Sequence, residues 1–271
     1  MKLCYPVATP DSNVPLMAFW GENRFEENVK IIKEIGYDGA ELLVRDGRQL
    51  DIEYIKTVLE NNGLQAAAVG SSPIFTQDKL TLSHKDREKS KAAFQLAKAG
   101  IDVAAALKVP YCIGKFRGNI DENTDGMTMR QLTEILRELA LYGEEKGAEL
   151  LLEPQSAPGI NNLHTVEDVL QIEKEIGAGR MGILLDMFHM DIGEASMYAA
   201  VVKAGKKARF IHASENERLA VGAGRLSVKD MIEMLKVTGY EGFISVEVAQ
   251  KPDSLKAARL SFETLSYWLR K

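Results

Sequence analysis

AELLLEP (residues 148–154), GILLDMFH (182–189), RFIHASE (209–215) and GFISVEV (242–248) are four short apolar runs, each ending at an ionisable side chain. Their length and β-rich content suit buried parallel strands, and between them lie amphipathic stretches with apolar residues at helical spacing. The same alternation extends back to residue 2. Strands are expected at Lys2–Ala8, Gly39–Val44, Leu64–Val69, Tyr111–Gly114, Glu149–Glu153, Gly182–Asp186, Phe210–Ser214 and Gly242–Val248. Helices are expected at Arg24–Ile35, Asp51–Asn61, Asp86–Leu107, Thr128–Lys146, Thr165–Ile176, within Glu194–Ala204, at Ser227–Val237 and at Pro252–Leu269.

One phrase recurs where a helix gives way to a strand: KEIGYDG, ENNGLQ, EKGAEL, KEIGAGRMG and KVTGYEG. Each places glycine where a left-handed cap ends the helix without a Cβ penalty. Eight strand-helix units without a break in composition predict an α/β chain folded as a single (β/α)8 TIM barrel over residues 1–271. A doubly wound open sheet would usually carry a glycine-rich phosphate loop after its first strand, and none follows Lys2–Ala8.

The chain of 271 residues is long enough for one such barrel, and 45% hydrophobic with 27% charged residues is an ordinary globular balance. A net charge of −5 leaves no electrostatic footprint for nucleic acid or an anionic membrane. No apolar run approaches the ~18 residues of a membrane span, and the N-terminus reads as a strand rather than a signal peptide. Cys4 and Cys112 fall inside expected strands and read as buried free thiols, which points to the cytoplasm.

In a barrel of this kind chemistry gathers at the C-terminal strand ends. Those ends carry Glu153, Asp186, His212 and Glu247 on four consecutive strands. Three carboxylates converging on one mouth repel unless a cation neutralises them. Carboxylates with one imidazole suit one divalent metal ion: Mn²⁺ first, with Mg²⁺, Co²⁺ or Zn²⁺ as alternatives. His84 and His164 lie in loops and read as helix caps, while Met187, Phe188 and Met190 read as packing around strand six. Phe19, Trp20 and Phe25 follow strand one, where an aromatic ring can cover a sugar face.

GYDGAEL (36–42), the Glu153–Pro154 pair, DMFHM (186–190), HASENER (212–218) and GYEGFISVE (239–247) follow one another in an order that resembles the sugar phosphate isomerase/epimerase group. That group belongs to the xylose isomerase-like barrel superfamily and includes ketose 3-epimerases. LTLSHKD (80–86) and IGKFRG (113–118) are similar to stretches of its keto-sugar and keto-acid epimerases. The resemblance implies Glu153, Asp186, His212 and Glu247 as metal ligands, with Glu153 and Glu247 as the catalytic acid/base pair. It further implies His189 and Arg218 as contacts to substrate oxygens, and Glu41 as the strand-two carboxylate. Lys115 and Arg117, just after strand four, are candidates to receive an anionic substrate group.

The expected activity is metal-dependent isomerisation or epimerisation of a keto-sugar or related carbohydrate, by proton transfer through a metal-stabilised enediolate. Aldose–ketose isomerase, inosose dehydratase-like lyase and a carbon-glycoside-cleaving subunit are alternatives on the same site. A non-enzymatic sugar-binding protein is disfavoured by the intact glutamate pair. An apurinic endonuclease is disfavoured by only four histidines and the acidic charge. The expected partner is a small carbohydrate, with neither nucleic acid nor membrane, and the helices over 128–146, 227–237 and 252–269 carry enough apolar residues on exposed faces for a homo-oligomer of unspecified number. One departure stands out. Ser156, Ala157, Pro158 and Gly159 occupy the place where ketose 3-epimerases commonly carry an asparagine-arginine-aromatic-glutamate stretch, so a relative's substrate does not transfer with the metal ligands. VGAG (221–224) replaces a common PGxG, a smaller difference.

Overall fold

Side chains of the chain itself mark where its helices start. Asp51, Asp86, Thr128, Thr165 and Ser227, the first residues of five expected helices, are N-caps whose side-chain oxygens accept backbone N–H groups of the first turn. At the other ends Gly36, Gly63, Gly147, Gly177 and Gly239 all have positive φ. At Gly36 and Gly147 this left-handed residue is the C-cap itself and turns the chain directly toward the next strand.

The computed structural model describes every residue except 13, 14, 16, 123–125 and 178. The strands are β1 (Lys2–Ala8), β2 (Gly39–Leu43), β3 (Gln65–Gly70), β4 (Tyr111–Ile113), β5 (Leu150–Leu152), β6 (Met181–Asp186), β7 (Ala208–Ala213) and β8 (Phe243–Val246). They pair in sequence order, all parallel, and β8 returns to β1 to close the barrel. The first-half helices are α1 (Phe25–Ile35), α2 (Ile52–Asn61), α3 (Ser72–Asp78) and α4 (Arg87–Leu107). They are followed by α5 (Met129–Lys146), α6 (Val166–Ile176), α7 (Met187–Gly193), α8 (Met197–Ala204), α9 (Val228–Val237) and α10 (Ser254–Leu269). The chain is the expected (β/α)8 TIM barrel.

Two helices were not expected. α3 starts behind Ser71 with a proline in its first turn, a start signal hidden within a short connection. α7 follows β6 without a linker because the Asp186 carboxylate caps it, Oδ1 accepting from Phe188 N at 2.8 Å. Met187 and Met190 on α7 are buried, as their reading as packing residues required.

Two apolar layers hold the barrel. The larger lies between sheet and helices; the smaller fills the axis with Cys4, Ala68, Cys112, Leu151, Leu184 and Phe210. Side chains two apart along a strand share a face. Leu151 therefore predicts the direction of Glu153, Leu184 that of Asp186, and Phe210 that of His212. All point to the axis, above the apolar plug. Both cysteines are free and buried. No helix among the described residues is long and apolar enough to cross a membrane. Leu141, Val237, Leu255, Leu260 and Tyr267 remain exposed on α5, α9 and α10.

Candidate metal centre

Glu153 and Glu247 stand one residue beyond β5 and β8 but stay in the ladder, Glu153 N donating to Ile113 O and Glu247 N to Ala213 O. Register sets Asp186 beside His212, and His212 beside Ser245. One ligand atom from each of Glu153, Asp186, His212 and Glu247 lies within 4.8 Å of the others. Glu153, Asp186 and His212 are buried, so their charges are poorly screened.

The imidazole explains what the cluster needs. His212 Nε2 is 3.2 Å from Glu41 Oε2, an oxygen that also accepts the Ser245 hydroxyl at 2.6 Å. Donation of the Nε2 proton to Glu41 turns Nδ1 toward three carboxylates: Glu247 Oε2 at 3.3 Å, and Glu153 Oε1 and Asp186 Oδ2 at 3.5 Å. Neither His212 Nδ1 nor Glu153 Oε1 has a hydrogen-bond partner, and both are buried. A positive charge is required there. Burial opposes protonation of His212, but Glu41 and Glu247 outweigh it and hold its pKa well above the usual histidine value. A divalent ion meets the same need with more charge, and three carboxylates with one imidazole suit it. The residues fit the ion.

A second positive group comes from the turn after β7. Arg218 Nη1 lies 2.6 Å from Asp186 Oδ2 and 2.8 Å from Glu247 Oε2. Two consecutive non-glycine residues with positive φ, Glu217 at 60° and Arg218 at 57°, aim this side chain back over the barrel. Such backbone is disfavoured, and Ala249 N pins it by donating to Arg218 O at 2.7 Å. Burial raises the carboxyl pKa of Asp186 and Glu247, yet Arg218 and the nearby histidines more than reverse it, so both remain ionised below the usual range.

His189 lies beside them on α7. Arg218 Nη2 is 3.1 Å from His189 Nε2 and donates to it, while His189 Nδ1 faces Ser156, 3.0 Å from its Oγ and 3.3 Å from its backbone N–H. The Arg218 guanidinium also covers the Phe188 ring, 4.5 Å from its centroid. Glu153, Glu247, His189, Arg218, His212 and Glu41 line one cavity of about 470 Å³ at the C-terminal mouth of the barrel.

Arg117 is placed elsewhere, and the expectation that it receives a substrate anion is corrected. It is fully buried. Its Nε donates to Asn162 Oδ1 at 2.8 Å, Nη1 to Gly114 O and Glu153 O, and Nη2 to Asn162 O and Leu163 O. All five N–H groups are used within the protein. The 3-10 turn Lys115–Arg117 directs Arg117 under the β5 loop and leaves Lys115 exposed at the cavity. Burial draws the Arg117 pKa down to about 10, which leaves it charged at neutral pH.

The aromatics after β1 also miss the cavity. Phe19 packs on Tyr5, Phe25 packs on Tyr54, and Trp20 lines a separate cleft between α1 and α10. Phe75 on α3, Phe116 and Phe188 line the cavity instead. Gln155, whose Nε2 donates to Glu153 Oε2, was not foreseen. His84 Nδ1 accepts from the N-cap Asp86, and His164 Nδ1 bonds Gln155 O at 2.8 Å.

A family model described as xylose isomerase-like TIM barrel matches residues 29–271. The chain belongs to that family. A ketose 3-epimerase of Arthrobacter globiformis is 25% identical over 81% of this chain and 76% of its own length. A 3-dehydro-D-guloside 4-epimerase of Escherichia coli strain K12 is 25% identical over 85% of this chain and 88% of its own. Among solved structures, the apo 3-keto-D-glucoside 4-epimerase of E. coli superposes on this family member with a TM-score of 0.79. That superposition covers 100% of both chains at 18% identity, a likeness of fold.

Proposed function

We propose that this chain is a divalent-metal-dependent epimerase of a keto-sugar, with Glu153 and Glu247 exchanging a proton at the carbon beside the carbonyl. The observation that carries this reading is the buried set of three carboxylates around His212 Nδ1, with Glu153 Oε1 free of any hydrogen bond. The epimerase names of two curated relatives support it.

Glu153, Asp186, His212 and Glu247 would hold the ion, with Mn²⁺ the first choice, and it would supply the Lewis acidity that acidifies the carbon beside the sugar's carbonyl. β5 and β8 stand three strands apart around the barrel, so Glu153 and Glu247 approach a bound sugar from different sides. One glutamate, ionised, removes the proton and becomes the acid, while the other, protonated from solvent, delivers a different proton to the opposite face, which inverts that carbon. Arg218 keeps Glu247 ionised, as a base must be. Gln155 holds Glu153 Oε2 and leaves Oε1 to work. Arg218 N–H groups, oriented by His189 and Phe188, donate to sugar hydroxyl oxygens. The free, buried thiols of Cys4 and Cys112 support a cytoplasmic setting.

The test is to incubate the metal-loaded protein with keto-sugars in D₂O and follow deuterium by NMR. Deuterium beside the carbonyl with inversion is expected. Absence of exchange with every keto-sugar, free or glycosidic, despite a bound ion, sinks the reading.

A further inference from the structure

A second cavity opens against the first. It has a volume of about 950 Å³ and lies over the β3, β4 and β5 loops, lined in part by Thr81, Ser83, His84, Lys85 and Asn119. The two cavities share Phe75, Lys115 and Gly159. Among the described residues Lys115 is the one charged residue common to both linings, and its ammonium lies 5.1 Å above the Phe75 ring centroid.

The walls of this outer basin are joined to one another. Leu82 N donates to Phe116 O and Ser83 N to Arg117 O, each at 3.1 Å, which zips the β3 and β4 loops together. Asn161 N donates to Asn119 Oδ1 at 3.0 Å and Ile120 N to Asn161 Oδ1 at 2.9 Å, which ties in the β5 loop. Arg117 fastens the β4 and β5 loops from beneath. A basin held this way is preorganised, and ligand binding there needs little loop ordering.

Size and sequence then point the same way. Small-molecule sites run from roughly 300 to 1,000 Å³, so the inner cavity alone suffices for one sugar ring. The outer basin is surplus to a free monosaccharide. The segment Ser156-Ala157-Pro158-Gly159, which carries no long side chain, runs along the join: Ser156, Pro158 and Gly159 line the inner cavity, and Gly159 lines the outer basin as well. Gly159 stands at the junction, and a Cβ there would meet only Ser156 O, at 3.5 Å.

Resting on the proposed epimerase reading, we propose that the substrate is a keto-glycoside. Its reacting ring occupies the inner cavity, and its glycosidic substituent passes Phe75, Lys115 and Gly159 into the outer basin. The basin offers hydroxyl, imidazole, ammonium, amide and carboxylate groups together with the Phe75 ring, a surface suited to a second sugar. Lys115 donates to the substituent's oxygens at the threshold and is a specificity-determining residue.

The experiment compares kcat/KM for deuterium exchange, in D₂O with metal-loaded protein, between a keto-disaccharide and the methyl glycoside of the same keto ring. The disaccharide is expected to lead by about tenfold or more, and both Gly159→Phe and Lys115→Met are expected to narrow that lead. Circular dichroism and metal binding confirm that each variant folds. Equal rates for the two compounds, or a lead that neither folded variant changes, overturn the inference while exchange itself upholds the epimerase reading. Exchange confined to free ketoses has the same meaning. No exchange with glycosides or ketoses overturns both.

Discussion

Arg218 Nη1 donates to Asp186 Oδ2 at 2.6 Å, a carboxylate oxygen that also faces His212 Nδ1. The guanidinium, tied to Glu247 as well, offsets much of the negative charge of the cluster when no ion is bound. Removing one partner of a buried ion pair leaves the other uncompensated, at a cost of about 3 kcal/mol. Arg218→Met is therefore expected to destabilise the metal-free protein by roughly that amount, and Mn²⁺ to restore most of the loss. Denaturant unfolding with and without the ion measures both. A variant equally destabilised in the two conditions contradicts this role.

Glu247 combines contact with His212 and Arg218 with the most exposed side chain of the four ligands. Glu247→Gln keeps the shape and removes the proton acceptor. Loss of a positioned base costs about 10²- to 10⁴-fold. That fall is expected in the exchange rate on keto-sugars, with a divalent ion still bound by calorimetry. Near-full turnover would assign the proton transfer elsewhere.

Proton and metal ion compete at His212 Nδ1. The histidine pKa is raised in the folded metal-free protein, so its stabilising contribution is fully present below the unfolded value of about 6.5. That contribution is lost as pH rises through the folded value. Ion binding needs the deprotonated nitrogen, so affinity is expected to rise with pH and loading to release a proton. Calorimetry in two buffers of different ionisation enthalpy detects the release. Proton-neutral loading at pH 6.5 would show that His212 is already neutral.

Glu41 orients that imidazole through Nε2 and is itself held by Ser245. Groups bonded to a metal-ligating histidine typically contribute about 10- to 100-fold in metal affinity. Glu41→Ala is expected to weaken Mn²⁺ binding within that range, read by titration calorimetry, while the folded content is unchanged. Unaltered affinity would leave Glu41 a purely structural carboxylate.

Arg117→Met strands Glu153 O, Asn162 O and Asn162 Oδ1 without their donor, whereas Gly114 O and Leu163 O keep the backbone N–H groups of residue 117 and Gln155. Each buried unsatisfied group costs about 1–3 kcal/mol, so a loss of at least ~3 kcal/mol is expected in chemical unfolding. The ratio of rates on acidic and neutral sugars is expected to stay constant among molecules that remain folded. A selective loss on acidic sugars would return Arg117 to the substrate site.

The contrast between Arg117 and the four ligands shows what a sequence discloses. Glu153, Asp186 and His212 each follow an apolar residue two positions earlier on a strand, and strand periodicity fixes their direction. Arg117 lies in a 3-10 turn, where two residues of rotation separate the exposed Lys115 from the buried guanidinium. Phe75 reached the cavity on a helix too short to announce itself by period. Trp20 and Phe19 were assigned to the mouth by proximity along the chain, but their loop turns outward against α1 and α10. Gln155 acts on Glu153 from its own loop, a contact set by local chain path and carrying no pattern in the letters.

Closure of the barrel has a consequence for how the chain acquires its ion. Cys4 in β1 pairs with Ser245 in β8, and Ser245 reaches across to Glu41 in β2. The four ligands thus stand on β5 to β8, on one side of the seam where the chain's first and last strands meet, while Glu41, which orients His212, stands on the other. An incomplete ring offers a cation scattered carboxylates and an imidazole with nothing to orient it. The ion's binding free energy accrues to the closed ring alone. An ion held there would favour the joined ring over the open one.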